Sequence, residues 1–213
     1  MRKIIAMGTV LLGLLATGAL TAVSASGTSG GHFVTATSHA EIVGAPSEVD
    51  QLYTVIHGME TPFVCDSTSF KGTTTSTTST EIELTASYSG CHTSESATSV
   101  TFDMNGCAYR LTGVTGGSEG TVDLICPAGK AIELTHPNCT IRIPPQTSVE
   151  RDLYTTTTVS GKHAVTVDRN RRDTAYLEAG ICVFLGTTKV ATTLGAYVIT
   201  ARTTGNLIDF TST

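Results

Sequence analysis

Val100-Thr101-Phe102-Asp103-Met104-Asn105-Gly106-Cys107-Ala108-Tyr109-Arg110-Leu111 is two runs of apolar and polar alternation hinged on one dipeptide. Alternation with period two puts successive side chains on opposite faces of a strand, so Val100, Phe102 and Met104 share one face and Thr101 and Asp103 the other. Asn-Gly tolerates positive φ at both central positions of a type I′ turn better than other pairs. The stretch predicts a hairpin joining Val100–Met104 to Cys107–Leu111, with Cys107, Tyr109 and Leu111 lining one face of the returning strand.

Outward from it the same pattern recurs, broken by Gly, Pro, Asn and Asp, in segments such as Phe33–Val43, Phe63–Cys65, Thr80–Tyr88, Thr121–Cys126, Cys139–Ile143 and Ala196–Arg202. No stretch carries a helical period. Many short strands with turn signals every ten residues or so point to an antiparallel sandwich or barrel. The expectation taken forward is an all-β, antiparallel β-sandwich of immunoglobulin-like or jelly-roll-like type, stapled by disulfides.

The chain opens with Arg2 and Lys3, continues through uncharged apolar residues from Ile4 to Leu20, and reaches Val23, Ser24 and Ala25. A basic start, an apolar run and a small-x-small exit read as a secretion signal over residues 1–25. Residues 26–31 read as a short flexible leader and 32–213 as one domain. Pro144-Pro145 halts a strand without resembling a linker.

Loss of the signal removes Arg2 and Lys3, so the formal charge of −5 becomes −7. An acidic surface repels phosphate backbones, which argues against nucleic acid and anionic lipid as partners. No second apolar segment long enough to span a membrane follows. Only 15% of residues are charged, while Thr makes up about a fifth of the chain. Its branched Cβ suits a pleated strand and its hydroxyl keeps an outer face wet without charge.

Cys65, Cys91, Cys107, Cys126, Cys139 and Cys182 follow the signal. Val122, Leu124 and Cys126 share a face, as do Cys139, Ile141 and Ile143, so sulfur lies in the apolar register. Six cysteines allow about fifteen pairings, which sequence alone does not resolve. Short loops and neighbouring strands favour the sequential set, Cys65–Cys91, Cys107–Cys126 and Cys139–Cys182.

Patterns that carry chemistry fail on context. Gly27-Thr28-Ser29-Gly30-Gly31 matches a nucleophile elbow but has no strand before it. His32, His39, His57, His92, His136 and His163 show no metal-ligand spacing. Bridged cysteines are unavailable as nucleophiles or ligands, because both tasks need a thiolate. Glu81 with Glu83, and Asp168 with Asp173 around Arg169-Asn170-Arg171-Arg172, are pairs of the kind glycoside hydrolysis uses, placed as solvated faces and turn tips would be. The chain has no Trp platform for a sugar ring, and Tyr53, Tyr88, Tyr109, Tyr154, Tyr176 and Tyr197 alternate with apolar neighbours. The Thr-rich tract Thr73–Thr80 reads as a polar loop or edge strand, with O-glycosylation the alternative. Asn138-Cys139-Thr140 fits an N-glycosylation sequon.

Phe63-Val64-Cys65, Phe70-Lys71-Gly72-Thr73, Ala86-Ser87-Tyr88-Ser89-Gly90-Cys91, Asn105-Gly106-Cys107-Ala108-Tyr109 and Gly120-Thr121-Val122 form one series of blocks. With Cys126-Pro127-Ala128-Gly129-Lys130, Cys139, Pro145-Gln146 and Gly180-Ile181-Cys182 it resembles a family of uncharacterised secreted bacterial β proteins. The likeness covers roughly residues 32 to 182, and the blocks around Asn105–Cys107 and Cys126–Gly129 are its most specific parts. After Cys182 the chain departs from the pattern, lacking the proline that follows there. The resemblance implies export, disulfides and an all-β domain, and carries over no catalytic, metal or cofactor residue.

The reading is an exported structural or interaction module of the cell envelope or extracellular space, not an enzyme, with no cofactor and with an envelope or extracellular protein or glycan as partner. A glycan- or small-molecule-binding module is the alternative and a secreted hydrolase the third. With three intrachain bridges, thiol titration of the denatured, unreduced mature protein is expected to find at most one free thiol per chain.

Overall fold

The alternation of Glu81-Ile82-Glu83-Leu84-Thr85-Ala86 is carried straight into three dimensions: Ile82, Leu84 and Ala86 are buried, and Glu81, Glu83 and Thr85 are exposed. The computed structural model describes residues 30–47, 51–56, 59–94, 97–114, 117–137, 139–168, 175–176, 178–179, 190–194, 196–202 and 207–211. Every regular element among them is a strand. In chain order these are β1 (His32–Thr35), β2 (Glu41–Pro46), β3 (Gln51–Ile56), β4 (Met59–Thr73), β5 (Thr78–Ser79), β6 (Glu81–Thr93), β7 (Thr101–Asp103), β8 (Ala108–Gly113) and β9 (Glu119–Ile125). They continue with β10 (Ile132–His136), β11 (Cys139–Ile143), β12 (Gln146–Val159), β13 (Lys162–Asp168), β14 (Ala175–Tyr176), β15 (Glu178–Ala179), β16 (Val190–Leu194), β17 (Ala196–Ala201) and β18 (Ile208–Thr211).

Eight of these strands close on themselves in the order β4-β2-β17-β13-β12-β9-β8-β6, with β6 pairing back onto β4, all antiparallel. The expected sandwich is therefore wrong; the fold is a closed barrel. Alternation cannot tell the two apart, because both bury one face of every strand. What separates them is the ladder from Gly72↔Leu84 to Phe63↔Thr93, which joins the two edges of an otherwise open sheet.

The β4–β6 ribbon is longer than the barrel needs. The second half of β4 pairs with β2, whereas its first half, Met59–Val64, pairs with β3, which leads on to β16 and β14. Along the ribbon the buried set switches parity: Thr68, Phe70, Ile82, Leu84 and Ala86 are buried in the barrel part, and Phe63, Cys91 and Thr93 beyond it. Gly90, with φ 63°, sits at the switch, and the Asp66 carboxylate lies where its Cβ would be. Left-handed backbone is open to Gly at little cost, so the strand can re-aim its side chains there.

Beyond the switch a second sheet, in the order β15-β11-β10-β7, buries Ile132, Leu134, Ile141 and Ile143 in the same core as Phe63, Cys65 and Cys91. This is where the expected hairpin fails. The Asn105-Gly106 turn forms as read, with φ values of 50° and 80° and a Cys107 N–H bond to the Met104 carbonyl of 2.7 Å. Its two strands then part company: β7 pairs with β10 in the second sheet, and β8 pairs with β6 and β9 in the barrel. A turn fixes only its own dihedrals; which neighbour each flanking strand chooses depends on the apolar surface offered to it.

The opposite pole is closed by a three-stranded sheet, β18-β1-β5. The expected single strand Phe33–Val43 is split into β1 and β2, which belong to different sheets, with His39 at φ 55° between them. Phe33 from β1 and Phe210 from β18 meet Tyr154 of β12, with ring centroids 5.0–5.3 Å apart. Thr156 Oγ1 accepts from the Phe210 N–H at 2.9 Å and tethers β18 to β12. Gly120 lets the Tyr154 ring approach the β9 backbone, since a Cβ there would overlap both that ring and the Thr112 carbonyl. Gly120→Ala is therefore expected to destabilise the fold by about 1–3 kcal/mol through overpacking, read as a lower urea midpoint at unchanged slope.

Candidate functional site

Inside the barrel, inward positions of five strands bring Phe70, Leu84, Tyr109, Leu111, Val167, Tyr197 and Ile199 around a gap of only about 10 Å³, room for about one water. The Phe70 ring in this lining is edge-on to Tyr197 at 4.6 Å and 6.3 Å from Tyr109. Tyr109 reaches the Tyr88 hydroxyl at 3.1 Å, and Tyr88 in turn packs on Phe102 of the second sheet at 4.9 Å. An eight-stranded barrel is just wide enough to be filled by its own side chains or to hold one small ligand. The aromatic rings take the first course here.

Polar groups also enter the interior. Asp152 is only 2% exposed, in the inward register two residues before Tyr154. Thr68 is 6% exposed, directly opposite Tyr88, and its Oγ1 has no hydrogen-bond partner. Neither was singled out from sequence, although the parity that places Tyr154 inward also places Asp152 there.

The carboxylate pair Glu81 and Glu83 lies on the outer face of the barrel, and both acids engage Arg110 of β8. Arg110 donates from Nη2 and Nε to Glu83 Oε1 at 2.8 and 3.1 Å and lies 3.7 Å from Glu81. The hydrogen bond to Glu83 raises the Arg110 pKa; partial desolvation opposes it, and the fields of Glu81, Glu83 and Asp123 add to it. Two carboxylates held by one guanidinium on an open convex face enclose no substrate between them, unlike the facing pair of a glycosidase. Of the other acidic pair, Asp168 ends β13, and Asp173 and Arg169–Arg172 lie outside the described residues.

The histidines are dispersed. His39 occupies a turn, His92 Nδ1 lies 3.0 Å from the Gly90 carbonyl, and His136 ends β10. His32 belongs to β1, with its Nδ1 buried and lacking a partner, and His57 lies outside the described residues. Among the described residues no three His, Cys, Asp or Glu side chains converge to hold a metal ion. The structure does join His163 to Asp209, Nδ1 to Oδ1 at 2.8 Å, fixing β13 to β18. Sequence reading missed this pair because 46 residues separate its members.

Cys65–Cys91 and Cys107–Cys126 are disulfide-bonded, as the sequential set requires. Cys139 stands on β11, and Cys182 lies outside the described residues. In the Thr-rich tract Thr74 is buried and accepts the Ala40 N–H at 3.0 Å, Thr75 to Thr77 are exposed, and Thr78–Ser79 form β5 against β1. Of the elbow-like motif, Ser29 lies outside the described residues, and Gly31 is packed on the Gly113 backbone and the Phe210 ring. Asn138 also lies outside, while Thr140 is part of β11.

No protein-family model, curated protein or solved structure matches the chain.

Arg110→Gln would leave Glu81, Glu83 and Asp123 facing one another. It is expected to cost up to about 1 kcal/mol at low ionic strength and less at 1 M salt, the signature of an exposed network; equal losses at both would show that Arg110 acts through packing instead.

Proposed function

We propose that this is an exported structural or interaction module of the cell envelope or extracellular space, akin to the secreted bacterial β proteins whose cysteine blocks it resembles. The observation that supports this most is the direction of its polarity. The barrel turns Phe70, Leu84, Leu111, Val165 and Ile199 inward, and Glu81, Glu83, Thr85, Ser87 and Ser89 outward. A membrane barrel would present the reverse, an apolar belt outside. A carrier barrel would leave room for cargo where this one stacks aromatic rings. What remains to offer a partner is the outer surface.

Two disulfides are the mark of a protein that matures in an oxidising compartment. Export past the plasma membrane, read from residues 1–25, fits that chemistry. Envelope or extracellular proteins and glycans are the partners such a location supplies.

The reading is tested by two measurements on the mature protein. Thermal denaturation against panels of small metabolites and oligosaccharides is expected to show no ligand that raises Tm. Affinity capture from the native extracellular fraction is expected to recover an envelope protein or polymer, less of it when Arg110→Gln is the bait. A metabolite that binds with micromolar Kd and loses affinity on Leu111→Phe, which shrinks the interior space, would overturn the proposal in favour of ligand carriage.

A further inference from the structure

The sheet that closes the pole is built around the first strand of the described chain. β1 lies in its middle, antiparallel to β18 from His32↔Thr211 to Thr35↔Ile208 and to β5 at Phe33↔Ser79 and Val34↔Thr78. The Gly31 N–H donates to the Val114 carbonyl at 3.1 Å, and the Thr35 N–H to the Thr77 carbonyl at 2.8 Å. Phe33 is wholly buried against Tyr154 and Phe210. β1 thus fills a groove whose walls are the β18 and β5 backbones and whose base is formed by the Tyr154 and Phe210 rings.

The strand reaches this groove across a bend. β2 belongs to the barrel, between β17 and β4, and the connecting residues Ala36, Thr37, Ser38 and His39 are all exposed. His39 holds the bend at φ 55°, a left-handed conformation that is costly for a residue with a Cβ. From Phe33 to Val43 the sequence contains no Gly, Pro, Asn or Asp and reads as one continuous strand. Local preference and docked geometry therefore disagree at the bend, and straightening it removes the disagreement. A straight chain would carry Phe33 and Thr35 on one face and Ile42 and Gly44 on the other, the residues that its two ends bury. One extended strand can then fill a pole groove on one side and a barrel wall on the other.

We propose that the partner of this pole is a second copy of the chain: β1 swings out on the Ala36–His39 hinge and inserts between β18 and β5 of another molecule, which returns its own β1 in exchange. Groove and strand are the same in both copies, so each regains the rungs and ring contacts it gave up, and both His39 residues leave the left-handed region. Reciprocal exchange closes the assembly as a dimer. It gives the exported module a way to pair and does not depend on what its outer surface binds.

Size-exclusion chromatography with light scattering on the mature protein tests this, with His39 as the control point. A β-branched residue tolerates positive φ worse than His, so His39→Val is expected to raise the dimer-to-monomer ratio at fixed concentration roughly tenfold or more. His39→Gly accepts the bend at no steric cost and is expected to lower it. The exchanged strand is identified with Val34→Cys/Thr78→Cys, two positions that face each other across β1 and β5. After oxidation the dimer fraction is expected to run as a covalent dimer on a non-reducing denaturing gel, and the monomer fraction as a single chain. A dimer whose bridges form within each chain would place the contact elsewhere and overturn the proposal, as would a His39→Val protein that stays monomeric at millimolar concentration. Should His39→Val fail to fold, the Val34→Cys/Thr78→Cys chain is concentrated near its urea midpoint, returned to buffer and read on the same gel; an exclusively monomeric product overturns the proposal too.

Discussion

The pairing of β4 with β6 is the constraint from which the rest of the architecture follows. Over the stretch from Gly72↔Leu84 to Thr68↔Tyr88 it seals the barrel, so that no strand of the closed ring is left with an open edge. Over the stretch from Cys65↔Cys91 to Phe63↔Thr93 the same two strands run on and supply the floor of a second layer. The buried face of the ribbon changes sides beside Gly90, so the same two strands cover the barrel and the second sheet within one continuous core. Interrupting it would cost the barrel its closure and the second sheet its support together.

Strand content and facing were legible in the sequence, and closure was not. The shared face of Glu81 and Glu83, or of Val122 and Leu124, is a local property of a pleated chain and was read correctly. Whether the last strand of a sheet meets the first is decided by strand tilt, register and residues far apart in sequence, to which alternation is blind. The Asn105-Gly106 stretch marks the boundary between the two kinds of information. Its turn was read with the right dihedral signs, yet its strands were assigned to one hairpin when they belong to two sheets. The break in Phe33–Val43 was hidden for a different reason, since the left-handed residue there is His39, which carries no turn signature.

Of the candidate site, the sequence showed single members and not their partners. Glu81 and Glu83 were recognised as a pair, but their shared guanidinium comes from Arg110, 27 residues from Glu83. The contact between His163 and Asp209 arises only once β18 has docked beneath β13. Two of the three sequential disulfides could be anticipated because bridges between neighbouring antiparallel strands need only a short loop and facing side chains, both of which show in the spacing.

The antiparallel match of His32 with Thr211 sets the first strand of the described chain beside its last. The two ends of the described chain thus share one pole, the one remote from the β15-β11-β10-β7 sheet. Any attachment made through either tail, to a surface or to a fused neighbour, would hold the molecule upright with that sheet farthest from the support. The same adjacency makes the polypeptide a natural subject for circular permutation: a short tether across the two tails, with new ends opened at the exposed Ser160-Gly161 bend, would conserve every rung of the ring.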